Sequence, residues 1–114
     1  MSSTGDAVPT EPLQLNDPSE LEDVVDSYDV VLVDFYADWC GPCQMMEPTI
    51  ESLASQTDAA VLKVDVDQFQ GLAGQYSVQG IPTLLVFADA EPVERLVGAQ
   101  SEQQLSTCIQ QYTD

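Results

Sequence analysis

Cys40 and Cys43, separated by Gly41 and Pro42, are the residues whose type and spacing point most directly to chemistry. One helical turn apart, two thiols can close a disulfide with each other and open it again locally. A cysteine at the junction of a strand and a following helix meets unpaired backbone N–H groups and the positive end of the helix dipole. Both favour its thiolate, and the thiolate is the nucleophile. Pro42 suits the first helical turn, where it has no N–H to lose. The same spacing could serve half of a structural zinc site or two buried core thiols. Zinc usually takes four cysteine, histidine or carboxylate ligands. The sequence has no histidine, and its third cysteine, Cys108, shares core spacing with Leu105 and Ile109. No metal is expected, and a Cys-X-X-Cys pair beside a strand and a helix favours redox exchange.

Those sulfurs need a strand that ends beneath them and a helix that starts there. Val30 to Tyr36 is a nearly unbroken apolar run, as in a strand buried on both faces of a parallel sheet. Asp34 interrupts it, and desolvation should raise the pKa of that carboxyl unless it is paired. From Pro42 onward Met46, Ile50 and Leu53 mark one face of a helix, which Pro48 should kink. Upstream, Leu13 to Leu15 alternates like an edge strand and stops at Asn16-Asp17-Pro18. A helix follows, with Leu21, Val24 and Val25 at helical spacing and Ser19 with Glu22 as its capping box. Downstream, Val61 to Val66 reads as a strand with Leu62, Val64 and Val66 on one face and Lys63 and Asp65 on the other.

Phe69, Leu72 and Tyr76 predict a short helix, weakened by Gly71 and Gly74. Thr83 to Phe87 and Val93 to Val97 flank a short loop, 88–92, suited to an antiparallel hairpin. The last helix opens with a capping box of Ser101 and Gln104 and carries a stripe of Leu105, Cys108, Ile109 and Tyr112. This order predicts an α/β fold, a mixed central sheet with helices on both faces. The cysteine pair belongs at the carboxyl end of a central strand.

Composition narrows the partners. Two basic residues against 20 acidic ones give a formal net charge of −18. Lys63 and Arg95 cannot build the basic stripe that nucleic acid requires, and anionic membrane surfaces are disfavoured for the same reason. Disorder is the other reading of such acidity, but 44% hydrophobic residues in periodic clusters argue for a core. A protein adapted to concentrated salt fits best, since the Debye length falls to about 3 Å at 1 M and like charges are screened. Residues 1–11 read as a flexible acidic leader and 12–114 as one domain. No signal-peptide pattern and no run of ~20 apolar residues is present, so the cytoplasm is the expected location.

The stretch Val33-Asp34-Phe35-Tyr36-Ala37-Asp38-Trp39-Cys40-Gly41-Pro42-Cys43 resembles the active-site segment of thioredoxins. The likeness covers about residues 13 to 112 and extends to Lys63, to Gly80-Ile81-Pro82-Thr83 and to Val97-Gly98. It implies the thioredoxin fold and a protein-disulfide reductase, with Cys40 as the attacking thiol and Cys43 as the thiol that resolves the mixed disulfide. It also implies that Asp34 is the base that helps deprotonate Cys43, with Lys63 nearby. A cis Ile81–Pro82 bond is implied, packed against the cysteines. Targets would dock on Trp39, Gly41, Pro42, Ile81, Pro82 and Gly98. The implied partners are protein disulfides and, as electron donor, a flavin-dependent thioredoxin reductase. No cofactor is expected on this chain, and a single copy is the expected working unit.

Three positions depart from the pattern. Gln44 stands where many thioredoxins have lysine, and Asp38 precedes Trp39, so positive charge that would favour a Cys40 thiolate is missing. Tyr36 stands where tryptophan is frequent, a change of packing. Cys108, outside that pattern, reads as a buried, inert thiol, with a regulatory or intermolecular disulfide as the alternative. Within the same chemistry a disulfide oxidase or isomerase is the alternative. A binding module with incidental cysteines is the alternative from another class.

Overall fold

The computed structural model describes residues 7–113. Within it Leu13–Gln14 forms a short strand, β1, and Leu15 prolongs its pairing by donating its N–H to the Lys63 carbonyl at 3.0 Å. Helix α1, Glu20–Ser27, buries Leu21 and Val25. Its expected capping box is displaced by two residues: the Ser19 side chain caps nothing. Asp17 Oδ1 instead accepts from the Ser19 N–H at 2.9 Å, and Glu20 Oε1 accepts from the Asp17 N–H at 3.0 Å. Pro18 thereby takes the first position of the turn, which a residue without an N–H can fill. Hydrogen bonds from the Ser19 hydroxyl and N–H also hold the Asp17 carboxyl below its ordinary pKa.

Strand β2, Val30–Tyr36, is buried at every position. The helical segment after it divides into α2, Gly41–Met45, and α3, Glu47–Gln56, with Met46 between them. The kink expected at Pro48 is thus a full break. Pro48 can donate nothing to the preceding turn, and the Met46 N–H is shared between the Pro42 and Cys43 carbonyls, both at 3.2 Å. Strand β3, Ala60–Asp65, and the short helix α4, Gln70–Gln75, follow as the apolar spacing predicts.

Strands β4, Thr83–Ala88, and β5, Glu91–Val97, form the antiparallel hairpin. Its loop is shorter than expected. Asp89 and Ala90, with φ of 52° and 69°, make a two-residue turn of the kind whose twist matches a hairpin. The extra residue appears as a bulge, since Val86 faces Glu94 while Phe87 faces Pro92 and Val93 is left over. Helix α5, Glu102–Thr113, starts with the predicted capping box: Ser101 N–H donates to Gln104 Oε1 at 2.9 Å, and Gln104 N–H donates to Ser101 Oγ at 3.1 Å.

The sheet order is β1-β3-β2-β4-β5, with β1, β3 and β2 parallel and the β2–β4 and β4–β5 pairings antiparallel, so the sheet is mixed. Alternation along β2 sends Val31, Val33 and Phe35 into one core with Leu21 and Val25 of α1, and Val30 and Leu32 into another with Ile50, Leu53, Leu105 and Ile109 of α3 and α5. Each such side chain contributes about 1.5–3 kcal/mol by leaving water. By the same alternation Asp34 falls on the second of these faces. Of the leader expected over residues 1–11, residues 1–6 lie outside the described part; 7–11 form no helix or strand, and Val8 packs against the α1 core.

Candidate active site

Beyond β2 the chain turns through Ala37 to Trp39, and Cys40 becomes the N-cap of α2 with an extended backbone, φ −85° and ψ 110°. The Cys43 N–H donates to Cys40 Sγ at 3.2 Å, so a free backbone donor meets the sulfur directly. The two cysteines are joined as a disulfide with Cα atoms 5.2 Å apart, within the range that a bridge requires. Both are buried, and they pack with Tyr36, Ala37, Val66 and Ile81. Gly41 and Pro42 between them are exposed. Gln44 donates its side-chain amide to the Asp38 carbonyl, so the residue that replaces the familiar lysine ties the entry loop to α2.

The segment before β4 closes the site from the other side. Ile81–Pro82 is cis, and the Ile81 carbonyl oxygen lies 3.9 Å from Cys40 Sγ. Gly98, just past β5, has φ +90°, a conformation that side chains beyond glycine rarely adopt, and its N–H donates to the Pro82 carbonyl at 2.8 Å. Large apolar side chains are exposed on the chain near the site: Trp39, 69% exposed, and Met45, 81%, on the segment that carries the disulfide, and Val97, 58%, at the end of β5 opposite Thr83 in the register, an exposure that water alone would not favour. Trp39 is not loose: its indole N–H donates to Asp67 Oδ2 at 2.8 Å.

Two residues before the end of β2, Asp34 is almost wholly buried. Its pKa is pushed up to about 6 by burial, against the pull of the Lys63 ammonium and with a further push from Glu47. Lys63 lies opposite Asp34 in the β2–β3 register. Its ammonium, however, pairs with Glu47 Oε2 at 3.1 Å and sits 4.5 Å from the centre of the Tyr36 ring. Tyr36 in turn accepts a hydrogen bond from Gln14 Nε2 at 2.9 Å. Thus Lys63 is neither a free surface lysine nor an ion-pair partner of Asp34.

Helix α5 keeps Cys108 out of this cluster. Cys108 is half-buried rather than buried, packs beside Leu105 and Ile109, and has its pKa raised by burial and by Glu94.

The family model described as Thioredoxin matches residues 12–111. The chain belongs to the thioredoxin family. It is 47% identical over 85 residues to the thioredoxin of Staphylococcus epidermidis, covering 73% of this chain and 82% of that one. It is 45% identical over 92 residues to the thioredoxin of Mycobacterium tuberculosis, covering 79% of each. Among solved structures, a mutant thioredoxin from Halobacterium salinarum NRC-1 superposes with a TM-score of 0.93 at 58% identity, over 96% of this chain and 97% of that one. As a thioredoxin-family protein with its vicinal cysteines at bonding distance, the chain is a protein-disulfide reductase that works by dithiol–disulfide exchange.

Of the residues singled out in the sequence, the fold gathers Trp39 to Cys43, Ile81, Pro82 and Gly98 around the disulfide, and Asp34 on the strand that leads to it. Lys63 lies one strand away and is turned to Glu47. Sequence reasoning does not find Glu47, Asp67 or Met45. Met45 is adjacent to the helix stripe but lies off it. Nothing local sets Glu47 and Asp67 apart from the other acidic residues, because each meets its partner only through the tertiary fold.

Proposed function

We propose that Cys40 opens the disulfide of a target protein and that Cys43, assisted by Asp34, releases the reduced product. Cys40 thiolate attacks one target sulfur, the target disulfide breaks, and a mixed disulfide forms. Asp34 takes the Cys43 proton, the Cys43 thiolate attacks Cys40 Sγ, and the target leaves as a thiolate that picks up a proton. Two electrons pass from the dithiol to the target. The observation that carries this reading is the Cys40–Cys43 bridge at the start of α2, with its attacking sulfur beside the Ile81 carbonyl and exposed Trp39 and Met45 on the same segment. Trp39, Gly41, Pro42, Ile81, Pro82 and Gly98 form the docking surface, and an extended target segment pairs with the Ile81 backbone as an added strand.

A redox titration of the pair against a dithiol buffer in molar salt, read by Trp39 fluorescence with Cys43→Ser as control, tests the direction of the reaction. A reducing midpoint, near that of cytosolic reductants, is expected. A strongly oxidising midpoint would point to oxidase or isomerase chemistry instead.

The cell supplies a reductase as donor, and that partner works against a strongly anionic surface. The charge of −18 supports reading the fold as one adapted to concentrated salt, and the cytoplasm is the location that goes with this reading. Raising salt from 0.1 M to 1 M shortens the Debye length from about 10 Å to about 3 Å. The melting temperature followed by circular dichroism should therefore climb through that range. A fold equally stable in dilute buffer would remove the case for salt adaptation. No helix among the described residues is long and apolar enough to cross a membrane.

A further inference from the structure

Three charged groups bear on one proton. Asp34 is buried on β2, Lys63 lies opposite it on β3, and Glu47 is the first residue of α3. The Lys63 ammonium has two carboxyl groups within its field, Asp34 across the register and Glu47. It lies outward, 3.1 Å from Glu47 Oε2 and over the Tyr36 ring, and Asp34 has no ion pair among the described residues. The other carboxylate on the Lys63 face, Asp65, is engaged elsewhere: its Oδ1 accepts from the Asp67 and Gln68 N–H groups. Glu47 stands four residues after Cys43, one turn along the same segment, at the break at Met46. The resolving thiol and the anchor for the ammonium are thus carried by one piece of chain.

We propose that Glu47 is a positioning residue for the release step: its carboxylate holds the Lys63 ammonium outward, so that Asp34 stays free to accept the Cys43 proton. The inference rests on the reading of Asp34 as that base. The proton moves from Cys43 Sγ to Asp34, the Cys43–Cys40 bond forms, and the bond from Cys40 to the target breaks. Glu47 exchanges no proton and touches no reacting atom. Its field and its grip on Lys63 set how strongly Asp34 holds a proton. The charged groups that bear on Asp34 are Lys63 from β3 and Glu47 from α3; its register neighbour on β4, Leu84, is apolar.

Without the Glu47 charge, and with the ammonium released toward it, Asp34 ionises at lower pH and becomes a weaker base. The acidic limb of the release step should then move down in Glu47→Gln by at least about half a pH unit, the size expected of one nearby charge at an effective dielectric near 20 and partly exposed. Lys63→Gln should move the limb the other way. In the Lys63→Gln background the Glu47→Gln shift should shrink, because no ammonium remains to be held.

The test is the stopped-flow rate of product release from a fluorogenic peptide disulfide, measured against pH in molar salt, for the native chain, the two single variants, their double variant and Asp34→Asn. Carbon-13 NMR of the Asp34 carboxyl gives its titration directly. Glu47 is half-exposed at a helix start, so its amide variant should fold, and circular dichroism checks this. If Glu47→Gln leaves both the limb and the Asp34 titration in place while Asp34→Asn removes the limb, the role of Glu47 is overturned and that of Asp34 stands. A limb that persists in Asp34→Asn overturns the base assignment itself.

Discussion

With Cys43 replaced by serine, the chain should take up one target molecule and keep it. Cys40 remains able to open a target disulfide, yet nothing beside it can close the bridge. A thiol held one turn away, with Cα atoms 5.2 Å apart, acts at an effective concentration that can reach on the order of 10⁵ M or more, which millimolar thiol in solution cannot match. Turnover should therefore fall by several orders of magnitude. A covalent adduct of one chain and one target should appear by mass spectrometry and disappear on adding excess dithiol. Cys40→Ser should form no adduct and show no turnover. An adduct formed by Cys40→Ser but not by Cys43→Ser would reverse the assignment of attacking and resolving thiols.

Asp34→Asn should make the protein more stable and less active at once. The Asp34 pKa rises from 3.8 to about 6 on folding. Below the unfolded value both states carry the proton and no penalty exists. As pH rises through the interval the unfolded chain ionises first, and stability is lost until the folded carboxyl ionises too. Above the folded value the penalty is complete, about 3 kcal/mol from a shift of about two units. Asparagine has nearly the same shape and no charge to desolvate. At pH 7 in molar salt the variant should gain up to about that much in denaturant unfolding, and the fall in stability between about pH 4 and pH 6 should flatten. Release of the mixed disulfide should slow by about a hundredfold, the lower end of what a positioned base supplies. Greater stability with unchanged release would leave Asp34 a buried acid without a catalytic part.

What can be read from the sequence is what adjacent residues decide. Val30 to Tyr36 declares a buried strand because burial on both faces demands apolar residues throughout, and Asp34 stands out against that background. Cys40 and Cys43 find each other within one turn. The departures are local as well. Ser19 and Glu22 fit a capping box, but Pro18 accepts only the first helical position, so the cap passes to Asp17. Asp89-Ala90 lacks the glycine that usually marks a two-residue turn with positive φ, and Pro92 makes the loop look longer than it is. Non-local pairings are out of reach for a different reason. Lys63 can be set beside Asp34 by register alone, but its choice of Glu47, and that of Trp39 for Asp67, depends on how α3 and the segment after β3 approach the sheet.

The bulge in β5 matters beyond the hairpin. A sheet with free margins can recruit a strand from a neighbouring copy, and mutual charge repulsion ordinarily guards against this in an acidic protein. Where salt screens that repulsion, protection must come from shape. One margin, β1, is only two residues long. The other carries Pro92, which has no N–H to offer, and the leftover Val93, which throws the ladder out of step. Neither margin presents the long, regular row of donors and acceptors from which aggregation grows, so the fold carries a safeguard against self-association that ionic strength does not switch off.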